Sequence, residues 1–447
     1  MSQHAAVTTV ARESRRKFLA RSALLASAAA GTQLAIGRSA HAAGSDTIKI
    51  GLIGCGGRGS GAAADALAGD PNTQLWAMAD VFADKMEASI NNLTAEFGDQ
   101  VQVDPARRFA GLDGYKGVID NSDVVLIACA SRFHAPYTLA AVEAKKHVFV
   151  EKPAAIDVAG VHQLLEADEL AKKNGTGVLA GLTYRYHLGR RAAVERMYNG
   201  EIGEIVAIQC DYLRAPYSLV ARQPGWSEME YQFRNWYHFT WLSGDDVPQS
   251  LIHNLDSALW AMRDESPVRV YGLGGRSTQF QPEMGTSFDH HSLIYEFANG
   301  CKIYGAVRTA VGCFGSNIDV FHGTKGRCMF AAFAPPRFTD LKGNVTWKAD
   351  EQASKVSPYR QEHVEFLKSI RDGAPFQRGK QLAMSTLGTV LGQMAVYTGQ
   401  PITWEEGLNS RHAFAPAGEV RLDMEPPVTP GPDGLYPIAI PGTTKMI

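Results

Sequence analysis

The chain has no Cys-x-x-Cys pair, no His-Glu-x-x-His run and no Gly-x-Ser-x-Gly elbow. The first two absences leave no zinc-type ligand spacing, so no metal is expected, and the third removes the nucleophile turn of an α/β-hydrolase. The six cysteines are scattered at 55, 129, 210, 301, 313 and 328. They read as buried free thiols rather than as a disulfide framework. Neither sign of charge dominates: 44 Lys and Arg stand against 46 Asp and Glu, a net charge of −2. With no basic run either, nucleic acid is not an expected partner. After residue 42 no apolar stretch approaches the roughly 20 residues of a membrane span.

What is present begins at Ser14-Arg15-Arg16-Lys17-Phe18-Leu19. An Ala/Leu-rich run over 20–36 follows, and then Ala40-His41-Ala42. A basic start, an apolar middle and a small-x-small site form an export signal, and the paired arginines point to the twin-arginine route. Residues 1–42 are therefore expected to be a signal cleaved after Ala42. The twin-arginine translocation machinery is then a partner, and the periplasm or another exported location the destination. About 405 residues remain, enough for two or three domains. They hold 38 Lys and Arg against 45 Asp and Glu, a mildly acidic balance.

Residues 47–53 are a short, apolar-rich, β-branched run, a buried strand by pattern. They run into Gly54-Cys55-Gly56-Gly57-Arg58-Gly59 and an Ala-rich helical stretch to about residue 68. Gly-x-Gly-x-x-Gly between a strand and a helix is the context of a dinucleotide site. Gly54 makes the tight turn, Gly56 lets backbone approach a pyrophosphate, and Gly59 permits close helix–strand packing. Gly57 and Arg58 complete the loop. A second strand over 74–79 ends at Asp80, whose carboxylate either accepts from ribose hydroxyls or caps the next helix. As a ribose partner it disfavours a 2′-phosphate, so NAD is expected rather than NADP. A strand over 123–130 leads to Ser131-Arg132-Phe133-His134, and one over 147–150 to Glu151-Lys152-Pro153. Alternating strands and helices predict an α/β Rossmann domain over residues 45–180, with ligands beyond the strand carboxyl ends.

At Glu151-Lys152-Pro153 the chain resembles the glucose–fructose oxidoreductase, inositol dehydrogenase and rhizopine-catabolism superfamily (Gfo/Idh/MocA). The glycine loop, Asp80, Ser131 to His134, Gly181-Leu182-Thr183-Tyr184-Arg185-Tyr186, Gly200 to Ile205 and His253-x-x-Asp256 carry the resemblance over about residues 47–405. It implies a C-terminal α/β domain (181–410) with a large, mainly antiparallel sheet, a sugar or inositol-type substrate, and a homo-oligomer. It also implies that Lys152 lies beside the nicotinamide and the reacting hydroxyl. The tail, 411–447, reads as extended and Pro-rich. Ser131, His134, Glu151 and Lys152 join the glycine loop and Asp80 as cofactor-binding candidates.

If 249–262 is one helix, Gln249, His253 and Asp256 share a face. His253 then takes the hydroxyl proton, and Asp256 orients it or binds substrate. The resemblance implies an Asp four residues before this His, where this chain has Gln249, able to position a hydroxyl but not to act as a base. Lys152 and His253 are thus the expected catalytic pair, with Tyr184 or Tyr186 in reserve. Trp236, His238, Arg185 and Tyr186 are substrate-binding candidates. The aromatic run over 226–241 fits a saccharide groove, a core or a dimer surface. Two activities fit: NAD-dependent hydride transfer on a sugar, polyol or derivative, with tightly held and recycled cofactor, or redox-neutral NAD-dependent glycoside hydrolysis.

Overall fold

Two sheets organise the protein in a computed structural model that describes residues 46–278, 280–414 and 418–446. The expected signal at 1–42 lies outside the described residues. The first sheet is parallel, in the order β3-β2-β1-β4-β5-β6. β1 (Ile48–Ile53) lies between β2 (Thr73–Asp80) and β4 (Val124–Ile127), and is buried on both faces because helices cover both. β3 (Arg108–Ala110), β5 (His147–Val150) and β6 (Val178–Ala180) complete it. Helices α1 (Gly57–Gly69), α2 (Ala83–Phe97), α3 (Gly114–Asn121), α4 (His134–Glu143) and α5 (Val158–Asn174) connect the strands. The sheet thus has the predicted Rossmann character.

After α6 (Leu188–Tyr198), β7 (Ile205–Arg214) enters a nine-stranded sheet in the order β14-β13-β12-β11-β7-β10-β9-β8-β15. Only the β7–β10 pairing is parallel. This is the mainly antiparallel C-terminal sheet that the resemblance implies. Its strands are β8 (Arg269–Gly275), β9 (His290–Glu296), β10 (Lys302–Thr309), β11 (Ser316–Gly323), β12 (Gly326–Ala331), β13 (Arg337–Asp340), β14 (Val345–Lys348) and β15 (Ile402–Thr403). On β9, His290 and His291 face opposite ways, half-exposed and buried, as strand alternation requires.

Between β7 and β8 lie α7 (Glu228–Arg234), α8 (Thr240–Ser243), a π-helical turn (Val247–Leu251) and α9 (Ile252–Ala261). The later helices are α10 (Glu351–Lys355), α11 (Pro358–Arg371), α12 (Gly379–Thr398) and α13 (Trp404–Asn409). α12 is buried all round, between α5 and the inner face of the large sheet. α11 instead returns to the first sheet: its Phe366, Leu367 and Ile370 share a core with Ile50, Leu52 and Leu67. The six cysteines are free; four are buried as expected, Cys129 is partly exposed and Cys313 is exposed.

Candidate active site

The glycine loop begins where β1 ends, and its geometry accounts for each glycine. Gly54 has φ +95°, and a Cβ there would lie 2.4 Å from the Cys129 nitrogen. A Cβ on Gly59 would lie 1.8 Å from the Gly54 oxygen. Gly56 and Gly57 are open, with nothing within 4 Å of an added Cβ. No side chain caps the α1 N-terminus at Gly56, so its amides face outward. At the tip of β2, Asp80 Oδ2 accepts from the Cys55 amide at 2.7 Å, and Oδ1 accepts from Phe82 at 2.9 Å. Asp80 therefore closes the glycine loop and caps its own turn. Gly54, Gly56, Gly57 and Asp80 border a groove of about 360 Å³ with Phe82, Tyr115, Phe133 and Tyr237. Bare backbone amides at a helix start, with an acidic group one strand away, fit the pyrophosphate and ribose of a dinucleotide.

At the tip of β5, Glu151 Oε1 pairs with Arg58 Nε at 3.1 Å, and Oε2 accepts from the Lys152 amide at 3.2 Å. Arg58 also pairs with Asp65 at 3.4 Å and stacks over Tyr359. The Lys152–Pro153 bond is cis. Lys152 Nζ donates to the Gln249 carbonyl oxygen at 2.8 Å. Gln249 Nε2 in turn donates to Ser131 Oγ at 2.9 Å and to the Ser243 carbonyl at 2.6 Å. The π-helical turn is thereby tied to the tips of both β4 and β5. Gln249 thus serves as a bracket between loops, with its amide nitrogen engaged by Ser131 and Ser243.

His253 lies one turn beyond, buried, with Nδ1 unpartnered and its ring 5.1 Å from that of Tyr184. Burial, and then the cations of Lys152 and Arg190, hold its pKa well below the ordinary histidine range. The ring is neutral at pH 7 and can accept a proton. Arg190 stacks 3.6 Å from the centre of the Tyr184 ring and pairs with Asp319 at 3.2 Å, both fully buried. Asn317 donates to the Tyr184 hydroxyl at 3.0 Å. Sequence reasoning missed Arg190, Asn317 and Asp319. The available signal was Asp319, an acid at an inward position of a β-branched strand.

Several candidates lie elsewhere. Arg185 and Asp256 form a bidentate pair at 2.9 Å; Arg185 also grips Asp264, and Ser385 donates to Asp256. Both are therefore engaged with each other on the α12 side of α9. Tyr186 is buried in the core around Phe149 and Leu179. His134 is buried between the Pro153 and Cys129 carbonyl oxygens, 2.8 and 2.9 Å from its ring nitrogens, and burial lowers its pKa to about 4. It braces the Lys152–Pro153 turn from behind. Trp236 borders the glycine-loop groove, stacked on Tyr237 at 3.9 Å. His238 is buried, with Nε2 unpartnered. His253 and Asp256 sit one turn apart within α9, whereas Gln249 belongs to the π-helical turn ahead of it, and the side chains of Gln249 and Asp256 are engaged with different partners.

Comparison with known proteins agrees with this geometry. Residues 48–181 match the family model described as "Oxidoreductase family, NAD-binding Rossmann fold" (Gfo/Idh/MocA). Myo-inositol 2-dehydrogenase of Thermotoga maritima is 25% identical over 344 residues, 73% of this chain and 90% of that protein. A glycosyl hydrolase family 109 protein of Saccharopolyspora erythraea is 26% identical over 230 residues, 51% of this chain and 48% of that protein. The structure of scyllo-inositol dehydrogenase from Lactobacillus casei, with bound NAD(H) and scyllo-inositol, is similar in fold. It has a TM-score of 0.60 at 17% identity, covering 80% of this chain and 99% of that one. Residues 48–181 are thus similar to the NAD-binding Rossmann domain of the Gfo/Idh/MocA oxidoreductase family, and the chain has inositol dehydrogenase homologues.

Proposed function

We propose that this protein is an NAD-dependent oxidoreductase that oxidises a hydroxyl, or reduces a ketone, on a sugar, polyol or sugar derivative. The observation that carries the reading is a buried, neutral His253, its Nδ1 unpartnered, within electrostatic reach of Lys152, whose neighbour Glu151 pairs with Arg58 of the glycine loop. When bound, NAD supplies the two-electron acceptor. His253 takes the hydroxyl proton, and the Lys152 ammonium, steadied by the Gln249 carbonyl, donates to the same oxygen as negative charge builds there. Asp80, with Oδ1 and Oδ2 already fixed, presents its remaining lone pairs to ribose hydroxyls, which favours NAD over NADP.

A second reading is redox-neutral glycoside cleavage with the same cofactor. It is supported by the family 109 relative and by the engagement of the nearby acids. Asp245 is held by Tyr397, Asp246 by Arg214 and Asp256 by Arg185, so the reaction needs a route without a free carboxylate pair.

The test is to purify the protein without added cofactor and record its bound dinucleotide. It is then incubated with polyols, aldoses and aryl glycosides. NADH formed in proportion to added NAD supports the dehydrogenase, and aglycone released without net NADH supports the hydrolase. Lys152→Ala should abolish turnover under either reading; surviving activity refutes the catalytic assignment.

Residues 1–42 are proposed as the twin-arginine signal, which delivers a folded, cofactor-loaded enzyme to the periplasm. Arg15→Lys with Arg16→Lys should hold the protein in the cytoplasmic fraction. A homo-oligomer through the open face of the large sheet is proposed from the exposure of Leu273 and Tyr304 there. Light scattering coupled to gel filtration reads its mass.

A further inference from the structure

α7 has seven residues, too few for a helix to hold its place without tertiary support. Its C-terminal end nevertheless borders the glycine-loop groove: Phe233 and Arg234 are part of the groove wall. Phe233 stacks on Phe133, which also lines the groove, at 5.9 Å. The Arg234 guanidinium lies 3.9 Å from the centre of the Phe82 ring and pairs with Asp84 at 3.5 Å. Phe82 and Asp84 follow directly on Asp80, so this contact closes over the ribose end of the groove.

The support for α7 comes from the far end of the chain. Gln232, fully buried, donates to the Val428 carbonyl at 2.7 Å and to Glu228 at 2.8 Å, and accepts from the Trp241 indole at 2.7 Å. The Tyr436 hydroxyl donates to the same Glu228 oxygen at 2.5 Å. The Tyr436 ring meets Phe239 edge-on at 4.9 Å. Val420, Leu422 and Val428 pack on the apolar cluster beneath α7. Beyond them, Gly442 donates to the Thr398 carbonyl at 2.8 Å, which anchors the end of the tail to α12.

We propose that residues 420–436 form a strap that locks α7, so that Phe233 and Arg234 clasp the adenosine half of a dinucleotide in the groove and retain it. The inference rests on the dinucleotide-site reading above. It assigns the tail a role in cofactor retention and makes Tyr436 and Gln232 positioning residues. Losing the strap should act on the off-rate, because the roof must open before the cofactor leaves and the phosphate and ribose contacts are untouched.

The test uses the full chain loaded with NADH and chased with excess NAD, with release followed by NADH fluorescence. Deletion of 419–447 should speed release about tenfold or more, and Tyr436→Ala and Arg234→Ala several-fold. Circular dichroism establishes that each variant is folded at the assay temperature. If the deletion does not fold, the two point variants decide. In Tyr436→Ala the KM for NAD should rise while kcat at saturating NAD stays unchanged. Release from folded Tyr436→Ala within twofold of wild type overturns the strap, and the same result for Arg234→Ala overturns the clasp. Wild-type protein that takes up no NADH overturns the dinucleotide reading itself, and the strap with it.

Discussion

His253 is the residue whose environment most constrains the chemistry. Burial first, and then Lys152 and Arg190, disfavour its protonated form. A base with a depressed pKa remains competent down to that pKa, so kcat/KM should stay flat from pH 8 through 6.5 and fall only at lower pH. A rate profile with an acid limb centred near 6.5 would contradict this. His134 acts one layer back. Its two ring nitrogens face the carbonyl oxygens of Pro153 and Cys129, which joins the Lys152 turn to the end of β4. The neutral ring donates to one of the two oxygens, so His134→Ala leaves that buried oxygen without its donor and opens a cavity, and should cost about 2–3 kcal/mol of stability, measured by denaturant unfolding. It should also lower kcat while leaving NADH affinity within a few-fold. At this scale the sequence revealed what is local. Asp80 and Lys152 end strands, and a strand end has one place to face in a parallel sheet. It could not reveal that Arg185 is held by Asp256 and Asp264, because that pair depends on the angle between segments 71 residues apart.

Elements, rather than residues, explain the glycine loop. Its four glycines divide into two that the fold needs and two that face open space. Gly59→Ala places a Cβ 1.8 Å from the Gly54 oxygen, and both atoms belong to backbone that β1 and α1 hold fixed. The expected cost is about 3 kcal/mol or more, read as a lowered Tm. Gly56→Ala meets nothing within 4 Å, yet its Cβ points into the groove. It should leave Tm unchanged and weaken NADH binding about tenfold or more, by titration of NADH fluorescence. Equal effects of the two variants on Tm would refute this division. The β1–loop–α1 unit was legible because a period-free apolar run, a glycine spacing and a helical pattern agree along 20 residues. The π-helical turn ahead of α9 was not. A helix read at 3.6 residues per turn runs unbroken through Gln249, His253 and Asp256, but only the last two lie in α9, and Gln249 lies in the wider turn. Nothing in Val247-Pro248-Gln249-Ser250-Leu251 announces a wider turn. It forms where Gln249 is pulled to Ser131 and Lys152.

Across the whole molecule, Thr47–Ile447 form one compact unit. Long-range closure explains why the Rossmann part does not stand alone. The sequence marks its strands over 45–180, and the sheet does end at Ala180, but one of its covering helices arrives from α11. Phe366 and Leu367 are fully buried against that sheet, Arg371 pairs with Asp70 after α1, and Gln377 bridges to Val178 on β6. Removing α11 would expose the apolar side of α1 and β1, including Ile50, Leu52 and Leu67. At about 25 cal/mol per Å² the lost burial of Phe366, Leu367 and Ile370 amounts to several kcal/mol, a large fraction of the stability of a domain of this size. A fragment of residues 45–180 should therefore bind a hydrophobic dye and unfold without a sharp thermal transition, although it carries every glycine of the loop and Asp80. Its NADH affinity should fall by at least about a hundredfold, because the fixed amides at the α1 N-terminus depend on α1 staying packed. A cooperative transition and wild-type affinity in that fragment would show that the site is self-sufficient. The opposite outcome would mean that the cofactor site forms only once the chain has returned through α11 to cover α1 and β1.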